Sequence, residues 1–182
     1  MEITTRRILK ISLVLSWIIF IGLCIEAGAS MFSAFYTLVI NPANAATFLG
    51  KHDLSGLYKY GPDYFFAEAL LISIVLIVKA FMFYLIVKIL QEKKLDLSQP
   101  FSGELRVFMI KMSGLAFGTG LFSWCGVKYT EWLVKQGVKM PDTQGLHLGG
   151  ADVWLFMSVT LFIVAQIFKR GVEIQTENDL TV

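Results

Sequence analysis

Residues 70–87 read LLISIVLIVKAFMFYLIV. The run holds a single charge, Lys79, and neither Gly nor Pro to turn the chain. Taken outward to residues 64–90, it is long enough as a helix to cross the roughly 30 Å of hydrocarbon in a bilayer, which needs about 20 apolar residues. Hydrocarbon offers no partner to a free backbone N–H or C=O, so a crossing segment must close its own hydrogen bonds as a helix. Three more stretches qualify, at residues 8–30, 107–127 and 151–168. The alternating pattern of a membrane barrel is absent. The expectation is an all-α membrane protein, a bundle of four transmembrane helices forming one domain over residues 1–182.

Composition agrees. Of the 182 residues, 55% are hydrophobic and 16% charged, against about 45–50% and 25% in soluble domains. A net charge of +2, with no basic stripe interleaved with aromatics, argues against direct nucleic-acid binding. Cys24 and Cys125 both lie in apolar runs and form no C-x-x-C pair, so neither a disulfide framework nor a zinc site is expected. Arg6, Arg7 and Lys10 precede an apolar run as in a signal peptide. The run is too long for one, and Ala27-Gly28-Ala29 makes a poor cleavage site, so it reads as an uncleaved signal-anchor.

Orientation follows from the 16 Lys and Arg residues. With the N-terminus inside, ten flank the spans on the cytoplasmic side and five fall outside, with Lys79 within a span. Both termini are therefore expected in the cytoplasm. The outer connections are then 41–63, with Asn41-Pro42 and Gly61-Pro62 as breakers, and 128–150, with Pro141 and Gly149-Gly150. In the second, Tyr129, Trp132, Leu133 and Gln136 share one helical face opposite Glu131 and Lys135. That pattern fits a short interfacial helix or a loop with an aromatic anchor. In the inner connection, Ser102 is placed to cap the third span, with Glu104 in its first turn.

Charges inside a membrane cost about 2.5–3.5 kcal/mol each on insertion scales and are the first candidates for function. Lys79 lies roughly 20 Å below the outer boundary. It is either a substrate or proton site facing the bundle interior or a residue whose stem carries the ammonium to the inner headgroups, and the second is the expectation. Glu26, Glu68 and Asp152 are expected near the outer boundary, either as an outer ring for a cation or proton or as ordinary interfacial carboxylates. Depth counted along the helices separates Glu26 from Lys79 by more than about 10 Å, which disfavours an ion pair. Gly114-x-x-x-Gly118 and Ala116-x-x-x-Gly120 are small-residue faces for helix packing, within the chain or between protomers in a homo-oligomer. His52 and His147 read as surface residues, and no metal or cofactor spacing, P-loop or nucleophile–base pair is present. An enzyme is not expected.

The chain ends Phe168-Lys169-Arg170-Gly171-Val172-Glu173-Ile174-Gln175-Thr176-Glu177-Asn178-Asp179-Leu180-Thr181-Val182. As physics this is a polar tail of marginal helicity. It resembles the end of the YoaS-like bacterial family carrying domain of unknown function 2975, typically F-R-R-G-V-E-L-Q-E-E-N-D-L-T-V. Pro100-Phe101-Ser102 is similar to the family's P-F-S before the third span. The resemblance implies a four-span, multi-pass protein of the bacterial inner membrane. Family genes often lie beside a small helix-turn-helix regulator, which implies a signalling partner. Arg170, Gly171, Glu173, Gln175, Glu177, Asn178 and Asp179 would then be the cytoplasmic contact. Alternatively the tail packs back on the bundle, with Gly171 ending the fourth helix. The competing function is a small transporter or an immunity-type protein using Lys79, Glu26 and Glu68.

Overall fold

Four helices long and apolar enough to cross a membrane dominate the computed structural model, which describes residues 2–92 and 102–179. They are α1 (Glu2–Val39), α3 (Pro62–Gln91), α4 (Gly103–Lys135) and α5 (Ala151–Asp179), with the short α2 (Ser55–Tyr60) and a 3-10 turn, Pro42–Thr47, between the first two. The chain is thus an all-α, multi-pass membrane protein. Residues Pro100 and Phe101 of the P-F-S motif, and the side chains of Asn178 and Asp179, lie outside the described residues.

Local chemistry sets the boundaries. The Asn41 side chain accepts from the backbone N–H of Ala43 and opens the 3-10 turn. Pro62 starts α3, where its missing N–H costs nothing. The Ser102 hydroxyl accepts from Leu105 N–H at 3.2 Å with Glu104 in the first turn, as expected for the third span. At its other end α4 departs from expectation. No breaker occurs before Gly137, so the helix runs unbroken through residues 128–135 rather than ending at Val127. Tyr129 and Trp132 stack together and Trp132 stacks on Tyr64, so this turn packs against α3. Gly137, at φ +85°, then stops it. Its N–H and that of Val138 bond back to the carbonyls of Val134 and Leu133, the Schellman closure that a left-handed glycine permits.

Close contacts between long helices follow chain order, α1 on α3, α3 on α4 and α4 on α5. Side-chain pairs fix the registers. Ser30 meets Ser73 and Phe20 meets Tyr84, so α1 and α3 are antiparallel. Thr130 meets Glu68 and Thr119 meets Met82, so α3 and α4 are too. A Cβ added to Gly120 would sit 2.8 Å from the Leu155 side chain and 3.0 Å from its backbone nitrogen, so this glycine admits α5. By contrast, added Cβ atoms at Gly114 and Gly118 meet nothing within the chain. The small-residue face used internally is therefore Ala116-x-x-x-Gly120.

That register starts α5 level with the middle of α4, leaving about 16 Å of α4 above it. Segment 138–150 fills the space by folding back down α4. Leu148 reaches Gly126, where a Cβ would lie 2.8 Å from both Leu148 methyls. This is irregular backbone lying beside the end of a spanning helix, which is tolerated when buried in protein. With the 3-10 turn and α2 it forms a cap at one end of the helices. The fully buried large side chains concentrate there, among them Phe48, Leu54, Leu57, Phe65, Leu133, Leu146 and Leu148. The reason is solvent. Water at the cap drives apolar burial, whereas lipid makes no such distinction and leaves Ile18, Ile25, Phe156 and Phe162 exposed. Lower down, an open apolar groove of about 400 Å³ runs along the surface between α1 and α3, lined by Phe20, Cys24, Ala27, Ala80 and Tyr84 among others.

Candidate functional site

Lys79 is central to the site. Helical Cα–Cβ bonds tilt toward the helix N-terminus, and the N-terminus of α3 lies at the cap end. The Lys79 Nζ follows that tilt and donates to the main-chain carbonyl of His147 at 3.0 Å. It also sits 5.6 Å from the centre of the Trp154 ring, at the start of α5. The expected snorkelling toward the opposite headgroups does not occur, because the re-entrant segment brings a carbonyl acceptor within reach.

His147 is correspondingly a half-buried histidine rather than a freely exposed one. It closes a single turn over residues 143–147 with φ +62°, an uncommon backbone state for a non-glycine residue. Its own N–H bonds to Gln144 O and that of Leu148 to Thr143 O. The fully buried Leu146 and Leu148 flank it and anchor the turn. His147 Nε2 lies 3.8 Å from Glu26 Oε2, with the two side chains 33% and 46% exposed. Burial holds the imidazole below its ordinary value of 6.5; the Glu26 carboxylate pulls upward, and Lys79, His52 and Lys51 push further down.

Glu26 therefore stands far from the helix boundary that sequence spacing indicates. α1 runs on to Val39, and the Ser30–Ser73 contact puts Glu26 within about two residues, roughly 3 Å, of the Lys79 level. The structure thus unites Glu26, Lys79 and His147, one from each of α1, α3 and the re-entrant segment. A line of polar groups leads to them. Glu26, Ser30, Ser33 and Thr37 share one face of α1. Asn44 of the cap donates to Ser33 Oγ at 3.0 Å and to Thr37 Oγ1 at 3.1 Å, and Ser30 Oγ lies 2.9 Å from Ser73 Oγ.

Of the two readings of Glu26, Glu68 and Asp152, the outer ring is not assembled. Glu68 lies beyond the first turn of α3 and is fully buried, its Oε1 2.7 Å from Thr130 Oγ1 and its Oε2 without a partner. Asp152 is exposed in the first turn of α5, where a helix N-terminus favours it. Among the described residues no group of three His, Cys, Asp or Glu side chains is placed to hold a metal ion.

The tail also differs from expectation. Gly171 does not end α5, which continues to Asp179. Glu173 pairs with Arg170 at 3.1 Å and with Lys169 at 3.9 Å, spacings that support an exposed helix. Sequence reasoning missed His147. Its signal was Leu146-His147-Leu148, two apolar residues bracketing a histidine in an otherwise polar loop. Compared with protein-family models, curated proteins and solved structures, the chain matches none.

Proposed function

We propose that this is a non-enzymatic signalling protein of the bacterial inner membrane, a YoaS-like four-span protein. Its cap faces outward and both termini lie in the cytoplasm. The observation that carries the reading is α5, one unbroken helix from Ala151 to Asp179. It begins four residues after His147, beside the Lys79–Trp154 contact. From the Ser113–Ser158 contact it extends past the start of α4 by about 16 Å. A displacement at the charged trio is thus transmitted along one rod to Arg170, Glu173, Gln175 and Glu177. The partner proposed there is a small helix-turn-helix regulator. The test is a reporter under that regulator's promoter, in cells carrying the full chain or a chain lacking residues 171–182. Loss of membrane-dependent regulation on truncation supports the reading, and an unchanged reporter sinks it.

A homo-oligomer belongs to the same proposal, supported by the open face at Gly114 and Gly118. A second reading, a small transporter or immunity-type protein, is favoured by the polar line from Asn44 to Glu26. Proton or cation flux in proteoliposomes that Glu26→Gln and Lys79→Met abolish would select it.

A further inference from the structure

We infer that Glu26 and His147 form a proton-binding site reached from the side on which the cap lies. The inference takes from the proposed function only the role of α5 as the moving part.

The route is the polar face of α1. Ser30 and Thr37 are fully buried and Ser33 nearly so, in a helix whose other faces are Ile, Leu, Val and Phe. Their hydroxyls, with the Asn44 amide and Ser73, recur at every helical turn from the cap to the Glu26 carboxylate. The hydroxyls of Thr37 and Ser73 also donate to carbonyls of their own helices, Ser33 O and Ala69 O, so the face offers polar atoms spaced one turn apart between the cap and the carboxylate.

The terminus is suited to one proton. A carboxylate and an ammonium already share the site, so a neutral His147 leaves it uncharged. At 3.8 Å the His147 Nε2 and Glu26 Oε2 are too far apart for a hydrogen bond. A proton arriving from water adds to the imidazole nitrogen. The imidazolium then donates to Glu26, closing the gap to about 2.8 Å. Every charged neighbour is accounted for. Glu26 of α1 favours the imidazolium, while Lys79 of α3 and His52 and Lys51 of the cap oppose it.

The consequence is structural. Lys79 holds the carbonyl of the residue that becomes charged, so protonation sets its ammonium against an imidazolium and gives Glu26 a nearer partner. Lys79 is released, and with it the start of α5 at Trp154.

The test uses the full chain in detergent with Trp17, Trp124 and Trp132 changed to Phe, leaving Trp154 to report on the Lys79 ammonium 5.6 Å from its ring. Fluorescence titrated downward from neutral pH is expected to show a single one-proton transition below the ordinary histidine range. His147→Gln abolishes it, Glu26→Gln moves it to lower pH, and His52→Gln, which removes an opposing group, keeps it and moves it slightly upward. Absence of a transition, one that survives His147→Gln, or one that Glu26→Gln leaves unmoved overturns the proposal. The readout needs neither the regulator nor residues 171–182. A silent reporter with an intact titration therefore faults the signalling reading alone.

Discussion

Lys79, in the middle of α3, donates to the main-chain carbonyl of His147 across 68 positions of sequence. The bond ties a spanning helix to an irregular segment folded against it. Lys79→Met keeps the unbranched stem and removes the donor. Loss of a hydrogen bond from a charged group costs about 1.5–3 kcal/mol, and a matching fall in thermal stability in detergent is expected. An unchanged melting temperature would show that the bond contributes nothing.

Two glycines in α4 separate internal from external packing. Gly120→Ala drives a Cβ against the Leu155 side chain and backbone and is expected to cost about 1–3 kcal/mol as overpacking. Gly118→Ala meets nothing within the chain and gains up to about 1 kcal/mol of helix propensity. Thermal unfolding of the two variants, with mass measurement in detergent, checks both this and the proposed self-association. Reduced assembly in Gly118→Ala with an unharmed protomer is the outcome that the oligomer requires.

Thr130 has one hydroxyl hydrogen and two acceptors in reach, Glu68 Oε1 at 2.7 Å and Gly126 O at 3.0 Å. Thr130→Val leaves both carboxyl oxygens of the fully buried Glu68 without a partner, at an expected cost of about 1–3 kcal/mol. Glu68→Gln retains a group that can pair with Thr130 and is expected to cost less. A reversed order of the two melting temperatures would refute this accounting.

Acid should destabilise the fold through His147. Its imidazole is held below 6.5 by burial first of all, so the unfolded chain binds the proton more readily. The stabilising contribution is complete above the unfolded value and is lost as pH falls through the folded one. Melting temperature followed across that window should fall for the native chain and change less for His147→Gln. The exposed Asp53, held below its usual value by its hydrogen bonds with Ser55, acts with the same sign at lower pH and is left intact in that variant.

The spans were legible because apolar runs of this length have one solution in hydrocarbon, and the Ser102 cap because its chemistry is local. Depth was not. Counting from helix starts put Glu26 at a boundary, since nothing local says whether Ser30, Ser33 and Thr37 end a helix or continue it to Val39. Residues 128–135 carry an amphipathic pattern that an interfacial helix and a spanning helix packed on Tyr64 share. The re-entrant turn depends on Leu148 finding Gly126, a long-range fit that periodicity does not encode. Gly171 is a stop in only one of the two readings of the tail, and Glu173, paired with Arg170 and Lys169, carries the helix beyond it.

Packing strength is distributed unevenly along the long axis. The cap is clamped by an apolar core of Phe48, Leu57, Phe65 and Leu148, while below it α1 and α3 touch through Phe20 and Tyr84 beside an open groove. The mechanics are those of a tuning fork held at one end. Amide exchange should be slowest beneath the cap and faster along the prongs, and a small torque at the clamp should emerge at the far tips as a larger swing.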